Sequence, residues 1–128
     1  LISIPVAEAV PASDLPILGA AYTYRGTSYV EVDTMTPGVG YFVLCDADTF
    51  AILVGEPIEE VDVQLQMGWN LVGGLSRRTF IDEYIDTFWS YFLFGYEPNG
   101  GYFVTKSIAP GQGAWLLSSE DRTSNLVD

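Results

Sequence analysis

Tyr29-Val30, followed by Pro37-Gly38-Val39-Gly40-Tyr41-Phe42-Val43-Leu44, decides how this chain is built, because it is written twice. The second copy is Tyr102-Phe103 with Pro110-Gly111-Gln112-Gly113-Ala114-Trp115-Leu116-Leu117, every position displaced by 73. Further out, Leu1-Ile2-Ser3-Ile4 answers Leu71-Val72-Gly73-Gly74, and Leu53-Val54 answers Leu126-Val127. A repeat of this length marks two similar units that share a core, since units of about 60–70 residues rarely bury enough surface alone. The 128 residues are therefore expected to form one domain over 1–128, with repeat halves at about 1–70 and 71–128.

The patterning within each half is that of strands. From Val61 the odd positions read Val61, Val63, Leu65, Met67, Trp69, Leu71, and the even ones Asp62, Gln64, Gln66, Gly68, Asn70. Such alternation predicts a long antiparallel strand with one face in the core, and Gly68 is its candidate bulge or bend between two sheets. Residues 22–24, 29–32, 40–44, 50–54, 91–94, 102–105 and 114–117 read as further strands, rich in β-branched and aromatic residues. Pro37-Gly38 and Pro110-Gly111 have the chemistry of type II turns, with Pro at i+1 and Gly at i+2. Residues 25–28 and 98–101 read as hairpin loops. One short helix is expected near 79–88, with Thr79 as its cap and Phe80, Ile81, Tyr84, Ile85 and Phe88 on one face. The expected fold class is all-β: two pseudo-symmetric halves forming one sandwich or partly open barrel around one core.

Composition removes most chemistry. Seventeen acidic residues face five basic ones, a net charge of −12. That excess disfavours nucleic acid and anionic membranes, which are bound through Lys and Arg. No apolar run is long enough for a membrane helix, so no membrane insertion is expected. The absence of histidine removes Ser-His-Asp and Cys-His nucleophilic sites and histidine-ligated metals. A single cysteine, Cys45, excludes an internal disulfide and reads as an inert core thiol. Carboxylates at Asp46 and Asp48, and at Glu56, Glu59, Glu60 and Asp62, read as solvated acidic loops rather than as a complete calcium ligand set. The chain is expected to be no enzyme, with no catalytic residues, no cofactor and no metal.

Aromatics are its richest resource: three Trp, eight Tyr and seven Phe. Trp69 and Trp115 are expected as core pillars. Trp89 with Tyr91, and Tyr22 with Tyr24, alternate in step; such rows are expected to pack against the facing sheet or, if exposed, to form a candidate ligand platform for sugar rings. The start at Leu1, without Met or a signal pattern, reads as a processed or excised product. Residues Leu1, Ile2, Ser3, Ile4, Pro5 and Val6 are the candidate assembly strand, expected to add to an open sheet edge of a neighbour or to be tucked against their own domain.

At Gly68-Trp69-Asn70-Leu71-Val72-Gly73, taken with the two Pro-Gly-x-Gly turns, the chain resembles a known kind of repeat. It is similar to the Gly-Trp-Asn-Leu-Ile … Pro-Gly-x-Gly-Tyr-Trp-Val repeats that occur in tandem in large secreted or surface-attached bacterial and archaeal proteins. It departs from them in having Ala114 for tyrosine and Gly74 for proline, and in opening at Leu1 where Trp-Asn would come first. The resemblance implies a non-catalytic extracellular or cell-surface module, structural or adhesive, that partners itself or adjacent repeats. A carbohydrate-binding module using exposed aromatics is the alternative, with a glycan as partner.

Overall fold

The described residues of the computed structural model are 1–80 and 93–127. They form strands β1 (Val10–Pro11), β2 (Leu18–Arg25), β3 (Ser28–Val32), β4 (Thr34–Met35), β5 (Phe42–Leu44), β6 (Glu60–Leu65) and β7 (Gly68–Gly73). Then come β8 (Thr79–Phe80), β9 (Leu93–Glu97), β10 (Gly101–Thr105), β11 (Ser107–Ile108), β12 (Gly113–Ser118) and β13 (Arg122–Val127). The class is all-β, and among the described residues every strand pair is antiparallel and none of the sheets closes into a barrel.

The repeat is structural. One half has strand order β3-β2-β5 and the other β10-β9-β12-β7, while β1 pairs β4 as β8 pairs β11. Both expected hairpins form, Arg25 opposite Ser28 and Glu97 opposite Gly101. The second loop is one residue longer, so β9 matches β2 at an offset of 72 rather than 73. Gly38 and Gly111 lie at φ 84° and 81°, the left-handed conformation that a type II turn demands. Gln112 N–H closes the second turn on the Ala109 carbonyl at 3.0 Å.

The halves join around a pseudo-two-fold axis. Ile2 exchanges both backbone bonds with Tyr41, at 2.8 Å each, as its counterpart Val72 lies opposite Ala114. Ser3 N–H donates to the Gly111 carbonyl, and Gly73 N–H to the Gly38 carbonyl. Gly113 N–H donates to the Leu1 carbonyl, and Gly40 N–H to the Leu71 carbonyl. Each Pro-Gly segment is thus bonded on both sides, once by its own half and once by the other. Residues 1–6 belong to this joint: Ser3, Ile4 and Val6 are buried, and Val6 bridges Pro57. The candidate assembly strand is tucked into its own domain.

Several expectations are corrected. The alternating run 61–71 is two strands, broken at Gly68 with φ 99°. Its first part, β6, pairs β13, and its second, β7, pairs β12, so the chain changes sheets at the bulge as expected. The alternation flips there: Val63 and Leu65 face the core before Gly68, Val72 after it. Residues 50–54 form no strand; their counterparts pair with β6, and no described strand stands beside them to satisfy their backbone. Cys45 is exposed beyond the end of β5, not a core thiol. Thr79 sits in β8, opposite Ile108, its hydroxyl accepting from Leu75 N–H at 3.0 Å; the rest of the expected helix, 81–88, lies outside the described residues.

Among the described residues the buried side chains form two clusters rather than the expected single core. Ile4, Val6, Val10, Ala12, Ala21, Met35 and Tyr41 make the first. Val63, Leu65, Val72, Leu75, Leu93, Ile108, Leu116 and Leu126, with neighbours, make the second. Ile58 and β6 therefore pack with the second half, ahead of the expected boundary at 70. The close backbone approach along the axis, where glycines stand, leaves no room for side chains to fuse the two cores.

A candidate binding face of aromatic rings

Period-two alternation puts the same face of each half outward, and the repeat puts an aromatic ring at the same places on both. Tyr22 matches Phe94, Tyr24 matches Tyr96, Tyr29 matches Tyr102 and Phe42 matches Trp115. Trp69 on β7, opposite Leu117, adds a further ring to this face. Two-fold packing brings these sets side by side.

Trp115 is the hub. Its ring centroid lies 5.2 Å from Tyr24, 6.4 Å from Tyr29, 6.2 Å from Trp69 and 6.3 Å from Phe42. Tyr24 and Tyr29 touch edge to face at 5.5 Å, and Trp69 reaches Phe94 at 5.8 Å. On the far side Phe42 meets Tyr96 at 5.7 Å, and Tyr96 meets Tyr102 at 5.1 Å. Nearly all pairs are edge-to-face, the arrangement ring quadrupoles favour. Trp69 is 42% exposed, Tyr29 53% and Tyr102 56%. Neither Trp69 nor Trp115 is a core pillar: both stand on the outward face of the β7–β12 pair, Trp115 half-buried by its neighbours.

Polar side chains anchor this face from behind. The Asn70 side chain donates to the Gln66 and Gly68 carbonyls and accepts from Gln66 N–H at 2.9 Å, shaping the turn that presents Trp69. The Gln66 side chain accepts from Gly26 N–H at 2.7 Å and donates to the Gly26 and Trp69 carbonyls. The tip of the first hairpin, with Tyr24 behind it, is thereby clamped against the second half.

Two depressions open here. One, about 460 Å³, is lined by Tyr24, Trp69, Phe94, Tyr102 and Trp115, all aromatic. The other, about 1020 Å³, runs past Leu1, Tyr22, Phe42, Val43 and Leu44 towards Asp46 and Asp48. Loss of solvent around the ring, then the phenols of Tyr102 and Tyr24, push the Tyr29 hydroxyl above the ordinary tyrosine range. Such a surface binds by burying rings and stacking on apolar faces, with tyrosine hydroxyls to orient a ligand.

Of the expected platform, Tyr24 is on the face and Tyr22 lines the neighbouring depression; Trp89 and Tyr91 lie outside the described residues. Tyr29, Phe42, Phe94, Tyr96 and Tyr102 are members that alternation alone did not single out. The signal for them is the repeat, which keeps an aromatic at 29 and 102 and at 42 and 115. Among the described residues no three His, Cys, Asp or Glu side chains gather as a metal site, and no helix is long and apolar enough to cross a membrane. Searched against protein-family models, curated proteins and solved structures, the chain matches none.

Proposed function

We propose that this protein is a non-catalytic extracellular or cell-surface module, structural or adhesive, that joins copies of itself or adjacent repeats through its aromatic face. The observation that carries the reading is the continuous run of rings from Phe94 to Tyr102 across both halves, much of it open to solvent. Rings left in water cost free energy that a partner recovers by covering them. The resemblance to tandem surface repeats and the acidic remainder of the surface, which keeps unpaired copies soluble, support the same reading.

Sedimentation equilibrium over a range of concentrations tests it on the wild type and on Trp69→Ser/Tyr102→Ser. Association in the wild type, lost in the variant, is the expected result. A carbohydrate-binding module is favoured as second reading by one observation: tyrosine hydroxyls at 24, 29, 96 and 102 border the rings. A wild type that stays monomeric yet binds glycans on an array, with loss in the variant, selects it. A monomer without glycan binding rejects both.

A further inference from the structure

The depression of about 460 Å³ is walled by rings alone: Tyr24, Trp69, Phe94, Tyr102 and Trp115. Its volume falls in the range of about 300–1,000 Å³ usual for small-molecule sites. The rings stand at steep angles to one another, Trp115 at 86° to Trp69 and 71° to Tyr24, and Trp69 at 68° to Phe94. Walls set this way can turn more than one ring face to a single point, which a flat row of rings cannot. Each ring face carries the negative part of the quadrupole.

Charge selects the occupant first. None of the five basic residues lines the depression. The chain around it carries a net charge of −12, so anions are repelled and cations drawn in. Ring faces then hold a cation by more than the burial of apolar area. Hydrogen bonding narrows the choice further. Among the lining side chains only the hydroxyls of Tyr24 and Tyr102 can accept, since an indole N–H only donates and Phe94 does neither. A primary ammonium or a guanidinium brings several N–H donors, which would give up water here without replacement. A quaternary ammonium has no N–H to satisfy.

We propose that this depression binds a quaternary ammonium group, held between Tyr24, Trp69 and Trp115 and flanked by Phe94 and Tyr102. The inference goes beyond the proposed assembly and rests on that reading only for this face being open to a ligand. The two fail separately: a chain that binds the cation and never associates spares this inference alone, and one that associates and ignores the cation spares only the other.

The probe is choline, titrated into the labelled full chain and followed by NMR beside its neutral isostere 3,3-dimethylbutan-1-ol and its primary-ammonium counterpart ethanolamine. The expected result is saturable shifts at Trp69, Phe94, Tyr102 and Trp115 with half-saturation at about 1 mM or below. The choline N-methyl protons should move upfield in the ring currents. Both comparison compounds should bind at least about fivefold more weakly. Trp69→Leu keeps an apolar side chain and removes a ring, so it should weaken choline at least about threefold and leave the isostere nearly unchanged. Tyr102→Leu, at an exposed position of the edge strand β10, decides the matter if that variant misfolds. Added salt should weaken choline and not the isostere, by screening the net charge. Equal binding of the isostere overturns the inference, because the depression is then only an apolar hollow, and equal binding of ethanolamine overturns the quaternary group. Shifts confined to Asp46 and Asp48, no shift at several times the stated concentration, or unchanged choline binding in the leucine variant overturns it too.

Discussion

Ser3 and Gly73 are the same position in the two halves, and they meet. A Cβ built on Gly73 would lie 2.5 Å from the Ser3 Cβ, so the axis has room for one side chain and not two. Gly73→Ala should destabilise by about 2 kcal/mol, the range for overpacking a filled site. Ser3→Gly alone loses the hydroxyl bond to the Gln112 carbonyl, about 1 kcal/mol. In the Ser3→Gly background Gly73→Ala should cost much less. Denaturant midpoints of the four proteins give the coupling, and additive costs would contradict the contact.

Gly38 and Gly111 share a positive φ but not their surroundings. A Cβ on Gly38 would stand 3.0 Å from a Val61 methyl, whereas one on Gly111 meets nothing within 4 Å. Both alanine variants should lose at least about 1 kcal/mol to backbone strain, with Gly38→Ala the costlier. Equal midpoints for the two would show that Val61 yields, and unchanged midpoints would argue against type II turns.

Trp115→Ala should remove about 2 kcal/mol, because four ring partners lose their hub; each aromatic pair is worth about 0.5–1.5 kcal/mol. Trp69→Ala, with two partners and more exposure, should cost less. Thermal melts with near-ultraviolet circular dichroism give both the stability and the loss of ring coupling. A reversed order would place the hub elsewhere.

Alkaline pH should weaken the fold through Tyr29. Its phenol ionises at higher pH in the folded chain than in the unfolded one, by desolvation first and then by Tyr102 and Tyr24. Between those two values the unfolded chain holds fewer protons, so stability falls as pH rises through and above about 10. Tyr29→Phe should show a shallower fall in stability over that range. An identical pH profile for the two proteins would contradict the assignment.

Local chemistry in the sequence determined the strands, the hairpins at 25–28 and 98–101, the paired Pro-Gly turns and the two-fold repeat. Each of these depends on neighbours in the chain: alternation, preset proline dihedrals and glycine at positive φ. Even the change of sheet at Gly68 was legible, because a glycine inside an alternating run marks a bulge. What only the tertiary structure decided is which faces meet. Alternation says that Trp69 and Trp115 share a face of their strands, but not whether that face is covered. Packing at the axis, where Ser3 meets Gly73, sends the aliphatic faces into two cores and leaves the aromatic faces side by side in water. Residues 50–54 have a strand's sequence and no strand, since a ladder needs a partner that propensity cannot supply. Burial and pairing depend on residues far apart in the chain, and no local pattern encodes the partner.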